Sequence, residues 1–332
     1  MVSMGQLHSN CSVDPLILAA HALKDGSLVA FPTETVYGLG ADAANELAVA
    51  RIYEVKGRPA DHPLIVHIAN IKYLDQWISD IPEYAISLAR EFWPGPMTLI
   101  LKRSELVKDF ITGNQDTVGI RIPNNVLALG LLDAFHKVGG SGIAAPSANR
   151  FGQVSPTTAA AVEEEIGDYL MDSDMVLDGG PSEVGLESTI IDCTADAPRV
   201  LRPGAITVAM IEEVTGKVVA ENFNDSNIRV SGSLENHYAP KAKVLLDQEP
   251  IIGAGYIALE DISTPDGVIR LAAPKSIEEF AQVLYKSLRE GDHQQLEAIY
   301  IKQPEGDGLA LAIRDRLGRS SKGRSSDINL IH

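Results

Sequence analysis

Apolar positions along this chain fall into two patterns, short unbroken runs and stripes spaced by three and four residues. The runs at 28–31, 64–68 and 97–102 predict buried strands, and His67 is the only strongly polar side chain in the second. Residues 117–122 alternate small or polar with apolar side chains, as a strand with one buried face would. Shorter strands are expected at 143–145, 188–192 and 199–201. Among the helical stripes, Asp14-Pro15 supplies an N-cap and a first-turn proline for a helix ending near Asp25-Gly26. Leu47, Ala48, Ile52 and Val55 give one face to a helix over 45–56. Further helices are predicted over 83–93, 125–135 and 157–166, with one after Pro203-Gly204 that ends near Thr215-Gly216. Strands and helices do not alternate cleanly here, which predicts an α+β domain over 14–216 built on one twisted sheet.

Periodicity then lapses. Residues 1–13 read as a flexible tail, and 217–240 as a linker rich in Asn, Ser and Asp, too polar to form core. A smaller unit follows over 241–319, with strands at 244–246, 256–259, 268–271 and 298–301. Ser276 caps a helix that carries Ile277, Phe280, Ala281, Leu284 and Leu288 on one face, and a last helix is expected over 308–317. Strands alternating with helices predict a small, parallel, Rossmann-like α/β domain, with a flexible tail from 320 to 332.

A length of 332 residues suits two domains, and 45% apolar with 22% charged residues is ordinary for a globular chain. No apolar stretch reaches the length of a membrane span. His21 interrupts the apolar segment 16–23 and no Lys or Arg precedes it, so neither a membrane nor a secretory role is expected. Cys11 and Cys193 support neither a disulfide framework nor a zinc site, and the expected compartment is the cytoplasm. The net charge of −17 is uneven: 16 basic against 31 acidic residues before position 241 give −15, and 12 against 14 from Lys241 onward give −2. Such a surface repels a phosphate backbone, so tight nucleic-acid binding is not expected. An anionic substrate must meet a local basic pocket, with a metal ion helping.

Chemistry concentrates in two segments. Phe31-Pro32-Thr33-Glu34-Thr35-Val36-Tyr37-Gly38-Leu39-Gly40 runs from a strand into hydroxyls, an acid and glycines, which read as a turn opening onto a cleft. Lys56-Gly57-Arg58-Pro59 then sets two cations at the end of a helix. Backbone freedom, hydroxyls and paired cations suit a phosphorylated ligand. P-loop, dinucleotide and nucleophile-elbow motifs are absent. Beyond these segments, His62, His67, Thr117, Arg121, Ser147, Asn149, Ser155, Ser188, Thr189 and Arg202 stand near predicted strand ends.

With their neighbours these residues form six segments, FPTETVYGLG, KGRPADHPLIVHI, TVGIRIP, AAPSANRFGQVSPTT, ESTIID and LRPGAI. In order and spacing they resemble the YrdC-like threonylcarbamoyl-adenylate synthases. His237-Tyr238-Ala239-Pro240 and EGDGLALAIRDRLGRSS resemble the long, two-domain form with a C-terminal extension domain. One departure is Arg150-Phe151-Gly152, where many relatives carry a smaller residue before the glycine. The resemblance implies condensation of L-threonine, bicarbonate and ATP to threonylcarbamoyl-AMP and pyrophosphate, with Mg²⁺ held mainly by the ATP phosphates. It implies a downstream tRNA threonylcarbamoyl transferase complex as recipient. Thr35, His67, Arg121, Ala145 and Ser188 would contact threonine. Lys56, Arg58, His62, Thr117, Ser147, Asn149, Ser155 and Arg202 would contact ATP, with Tyr238 closing over it. Lys56 and Arg58 would carry the catalytic charge stabilisation, and the linker would act as a lid. Two other readings compete, an RNA-binding module without synthesis and a carbamoyl transferase of hydrogenase maturation. The acidic surface opposes the first, and the lack of zinc-finger and acylphosphatase-like segments opposes the second.

Overall fold

The computed structural model describes residues 14–220, 228–230, 232 and 237–323. The apolar runs of the first part assemble into one mixed, ten-stranded sheet. From one edge its strands are Arg199–Arg202, Thr189–Asp192, Met97–Arg103, Thr117–Arg121, Ile65–His67, Ile143–Ala144, Gly38–Asp42, Val29–Phe31 and Met175–Val176. Ile78–Asp80 pairs with Met97–Arg103 beside this path. The parallel register Val66↔Ile120 and His67↔Arg121 matters for function, because it sets an imidazole and a guanidinium side by side at the strand ends.

Helix boundaries follow local chemistry. Asn45 Oδ1 accepts from Leu47 N at 3.1 Å and Ala48 N at 3.2 Å, opening the helix Glu46–Lys56. Gly57, at φ +60°, ends it in the left-handed conformation that glycine tolerates best. A side chain there would also strike the Arg150 guanidinium at 2.8 Å. The turn delivers Lys56 and Arg58 to one region.

The second unit is a four-stranded parallel sheet in the order Lys243–Leu246, Ala298–Ile301, Gly255–Ile257, Ile269–Ala272. The helix Ile277–His293, capped by Ser276, buries Phe280, Ala281, Leu284 and Leu288 against it, and Leu309–Ser320 adds Ile313 and Leu317. This core is continuous with Val36, Val154, Leu186 and Tyr238 of the first part and the linker. The second domain therefore packs directly behind the turn that follows the first strand.

Several sequence expectations need correction. The glycine-rich segment read as a turn is partly a central strand, Gly38–Asp42. A Cβ at Gly40 would lie 2.7 Å from Ile143 Cγ2 and 2.9 Å from Phe31 Cε1, so glycine here serves close packing. The strands Ile78–Asp80 and Met175–Val176 carried no usable pattern. The linker was expected to lack core, yet Val219, Val230, Tyr238 and Ala239 are buried, because its few apolar side chains each settle against a domain. Ser320 was expected to begin a tail but closes the last helix, buried, and donates to the Tyr238 carbonyl. The tails at 1–13 and 324–332, and linker residues 221–227, 231 and 233–236, lie outside the described residues.

Candidate active site

A cavity of about 50 Å³ opens where strand ends of the large sheet meet the linker. One end is built by the turn after Val29–Phe31. Thr33 Oγ1 donates to the Val36 carbonyl at 2.6 Å and accepts from Thr35 N and Val36 N at 3.2 Å each. This hydroxyl-braced turn presents Thr35 to the cavity, while Glu34 is buried outside its lining. There Glu34 Oε2 lies 2.8 Å from Arg121 Nη2, both side chains buried, in an ion pair without hydrogen-bond alignment. His67 stands next to Arg121, edge-on to Phe31 at 5.8 Å. Burial, and secondarily the Arg121 charge, push its pKa down to about 3, so the imidazole is neutral. Among the described residues its Nδ1 has no hydrogen-bond partner. Ala145 and Ser188 complete this end, and Ser188 Oγ lies 2.8 Å from Thr98 Oγ1.

The other end is cationic. Lys56 Nζ donates to the carbonyls of Ser147 at 2.6 Å and Asn149 at 2.5 Å, which ties the Ser147-Ala148-Asn149 loop to the helix end. Ser147 Oγ donates to Asn149 Oδ1 at 2.5 Å. Burial and then the Arg58 charge hold the Lys56 ammonium well below the usual lysine range. Burial, with Arg202 as a smaller contributor, lowers Arg58 to about 10. Arg202 donates through Nε and Nη2 to the Ser188 carbonyl at 3.1 and 2.9 Å, and burial lowers its pKa too. Three buried cations thus converge on one face, a high-energy arrangement that an anion relieves.

An aromatic rim covers them. Phe151 meets His62 at 5.6 Å and His237 at 6.2 Å, both edge-on, and His237 meets Tyr238 at 4.2 Å. Tyr238, at φ +62°, stacks at 5.7 Å on Tyr285 of the second domain. Its hydroxyl has no hydrogen-bond partner among the described residues, although it is buried beside the cavity. Burial, and then Lys56, Arg58 and Arg202, push His237 down to about 3. Phe151, the departure noted before Gly152, lines the cavity, and Arg150 beside it does not. Arg150 caps the helix Glu46–Lys56 by donating to the Val55 carbonyl at 2.5 Å and lies over the Tyr169 ring at 4.2 Å.

Of the residues singled out from sequence, Thr35, Lys56, Arg58, His67, Arg121, Ala145, Ser147, Ser188, Arg202 and Tyr238 line this cavity. Four do not. His62 backs Phe151 at the rim, and Asn149 sits behind Lys56. Ser155 is turned to Glu187, donating to its Oε1 at 2.6 Å. Thr117 lines a separate small cavity with Gln115, Arg229 and Val230. Sequence reasoning missed the two buried acids. Glu34 and Glu187 lie inside quoted motifs, but each partner arginine is distant in sequence, and an acid alone does not announce burial. Burial opposes the ionisation of Glu187, but Arg316, Arg202 and the Ser155 hydrogen bond outweigh it and hold the carboxyl at about 2.

A twisted mixed sheet sets a neutral histidine and an arginine at one end of the cavity and three converging cations at the other, an arrangement suited to a small polar acid beside a phosphorylated ligand. The family described as "Telomere recombination" matches residues 21–204, and "Threonylcarbamoyl-AMP synthase, C-terminal domain" matches 206–322. The chain is 38% identical to the threonylcarbamoyl-AMP synthase of Pyrococcus abyssi, over 92% of this chain and 93% of that protein. It is 39% identical to that of Bacillus subtilis, over 94% of each. The crystal structure of P. abyssi Sua5 complexed with L-threonine superposes with a TM-score of 0.83, covering 93% of this chain and 94% of that one. This chain belongs to the threonylcarbamoyl-AMP synthase family, in its two-domain form. It is an enzyme of nucleotidyltransferase type. No helix among the described residues is long and apolar enough to cross a membrane.

Proposed function

We propose that the cavity condenses L-threonine, bicarbonate-derived carbon dioxide and MgATP to threonylcarbamoyl-AMP and pyrophosphate. The observation that carries this reading is the division of one cavity into an end with a single buried ion pair and an end with three cations. The threonine amine and carbon dioxide form a carbamate and release a proton. A carbamate oxygen then attacks the α-phosphorus, the bond from that phosphorus to the bridging oxygen breaks, and pyrophosphate departs. No protein nucleophile is required, so the tasks left are positioning and charge neutralisation.

Arg121 takes the threonine carboxylate in a planar, bidentate grip, and neutral His67, Thr35, Ala145 and Ser188 enclose the rest of that substrate. Arg58 and Arg202 face the polyphosphate, with Lys56 fixing the Ser147 loop beside it. The carboxylates nearest the cavity, Glu34 and Glu187, are held by Arg121 and Arg316, and the described residues form no cluster of three or more metal-ligating side chains. A divalent ion, Mg²⁺ in this reading, enters as part of the nucleotide, held mainly by the ATP phosphates. Tyr238 and His237 close over the nucleotide and keep water from the mixed anhydride. The product passes to a tRNA threonylcarbamoyl transferase complex in the cytoplasm, and the acidic surface keeps direct tRNA binding weak.

A pyrophosphate-release assay with the full chain tests the proposal. Release should require threonine, bicarbonate and ATP together. Release that persists without threonine or bicarbonate, or none with all three, would refute it.

A further inference from the structure

Glu187 lies on the cavity wall and joins three parts of the chain. Its Oε1 accepts from Ser155 Oγ at 2.6 Å. Its Oε2 accepts from Tyr285 OH at 2.9 Å and from Arg316 Nε at 2.8 Å, both side chains of the second domain. Arg316 is fully buried. It also donates to the Pro203 carbonyl at 3.0 Å, next to Arg202, and to Asp315 at 2.6 Å, and its guanidinium lies 5.4 Å from the centre of the Tyr238 ring. It does not line the cavity itself.

The arrangement poses an electrostatic problem. A cavity meant for a polyanion carries a buried carboxylate on its wall, and that charge acts on Lys56, Arg202 and His237. Left alone, Glu187 would repel phosphates and partly cancel the cations gathered to hold them. The compensating charge comes from Arg316, more than a hundred positions along the chain and in the other domain. Within the first domain and the linker, Ser155, Lys56, Arg202, His237 and Tyr238 interact with Glu187 from the nucleotide side of the proposed site, while the next residue in the chain, Ser188, stands at the threonine side.

We infer that Arg316 is a positioning residue for nucleotide binding: by neutralising and orienting Glu187 it fixes Ser155 and keeps the carboxylate from cancelling the charge that Arg202 presents to phosphate. The second domain thereby completes the electrostatics of the first. This inference rests on the synthase reading above. Failure of wild-type pyrophosphate release would refute that reading, whereas the pattern among variants addresses Arg316 alone.

Steady-state kinetics should be measured for Arg316→Met, Arg316→Lys and the paired Glu187→Gln/Arg316→Met, with thermal melts to report folding. Arg316→Met leaves an unpaired buried carboxylate, and the ATP KM should rise by about tenfold or more while the threonine KM moves by less than about twofold. Arg316→Lys keeps the charge and should stay within about threefold for ATP. The paired variant removes both charges and should recover most of the ATP KM. Parallel increases in both KM values, or a paired variant no better than Arg316→Met, would make Arg316 a structural bolt and overturn the inference. Should Arg316→Met fail to fold, the other two variants decide: either one showing an ATP KM raised more than about tenfold refutes the charge argument.

Discussion

The two ends of the cavity handle charge in opposite ways. At one end Arg121 already has a counterion in Glu34, and His67 is held neutral, so the local charge nearly cancels before any ligand arrives. At the other, Lys56, Arg58 and Arg202 crowd together with depressed pKa values and backbone carbonyls as partners. The first end suits a small zwitterion, which brings one negative and one positive group. The second stores repulsion that a polyanion releases on binding. In the proposed reading, selectivity between substrates follows from charge balance before any contact is considered.

Charge removal at the crowded end should have the largest effect. Arg58→Ala is expected to lower turnover by about 10²–10³, as loss of a preorganised charge stabiliser does, with little change in threonine KM. Lys56→Ala should fall as far, for a partly different reason, since it also releases the Ser147 and Asn149 carbonyls. Near-normal rates for both would break the contrast between the ends.

Arg121→Gln attacks the balanced end. Its threonine KM should rise by roughly 10–100-fold, the loss of a charge-assisted pair, while the ATP KM stays within a few-fold. An equal rise in both constants would mean that the ends are not separate. The neutral histidines give a pH signature. His67 and His237 titrate near 3 in the folded protein against 6.5 ordinarily, so the folded state binds fewer protons between those values. Their contribution to stability is complete above pH 6.5 and is lost as pH falls toward 3. From pH 6.5 to 5 that is about 2 kcal/mol per histidine. Glu187, lowered from 4.5 to about 2, adds to the loss below pH 4.5. Urea unfolding at pH 7.5, 6.5 and 5 measures this, and equal stabilities at all three would contradict burial of neutral rings. Smallest of all is side-chain discrimination. Threonine should be preferred to serine by only about 1–3 kcal/mol, the worth of one methyl in an apolar pocket, and competition kinetics give the ratio.

Much of this was legible in the chain because local chemistry and tertiary structure agree. Asn45, Asn125, Thr158 and Ser276 cap the helices their positions suggest, and the β-branched run before His67 forms a central strand. The parallel sheet of the second domain was readable from alternation alone. The segment from Gly38 to Asp42 was not, since Gly40 answers to Ile143 as well as to Phe31, and Ile143 lies far along the chain. Individual polar residues near strand ends were visible, but which acid would be buried was not. Glu34 needs Arg121 and Glu187 needs Arg316, and those pairings exist only once the sheet and the second domain have formed. Ser155 shows the same limit: its sequence suits a ligand contact, and its hydroxyl is turned to Glu187.

The cavity measures about 50 Å³, while small-molecule sites generally span about 300–1,000 Å³. A nucleotide does not fit a space that small, so ATP entry requires a more open conformer than this one. The apparent dissociation constant for ATP then equals the intrinsic constant divided by the open fraction. In the closing role proposed for Tyr238, its stack on Tyr285 would set that fraction, and the second domain would then help determine how much ATP must accumulate before the enzyme begins to work. Stopped-flow binding would carry the mark of this gate as an observed rate that levels off with rising ATP. A rate that climbs linearly throughout would mean that the shut conformer opens too fast to matter.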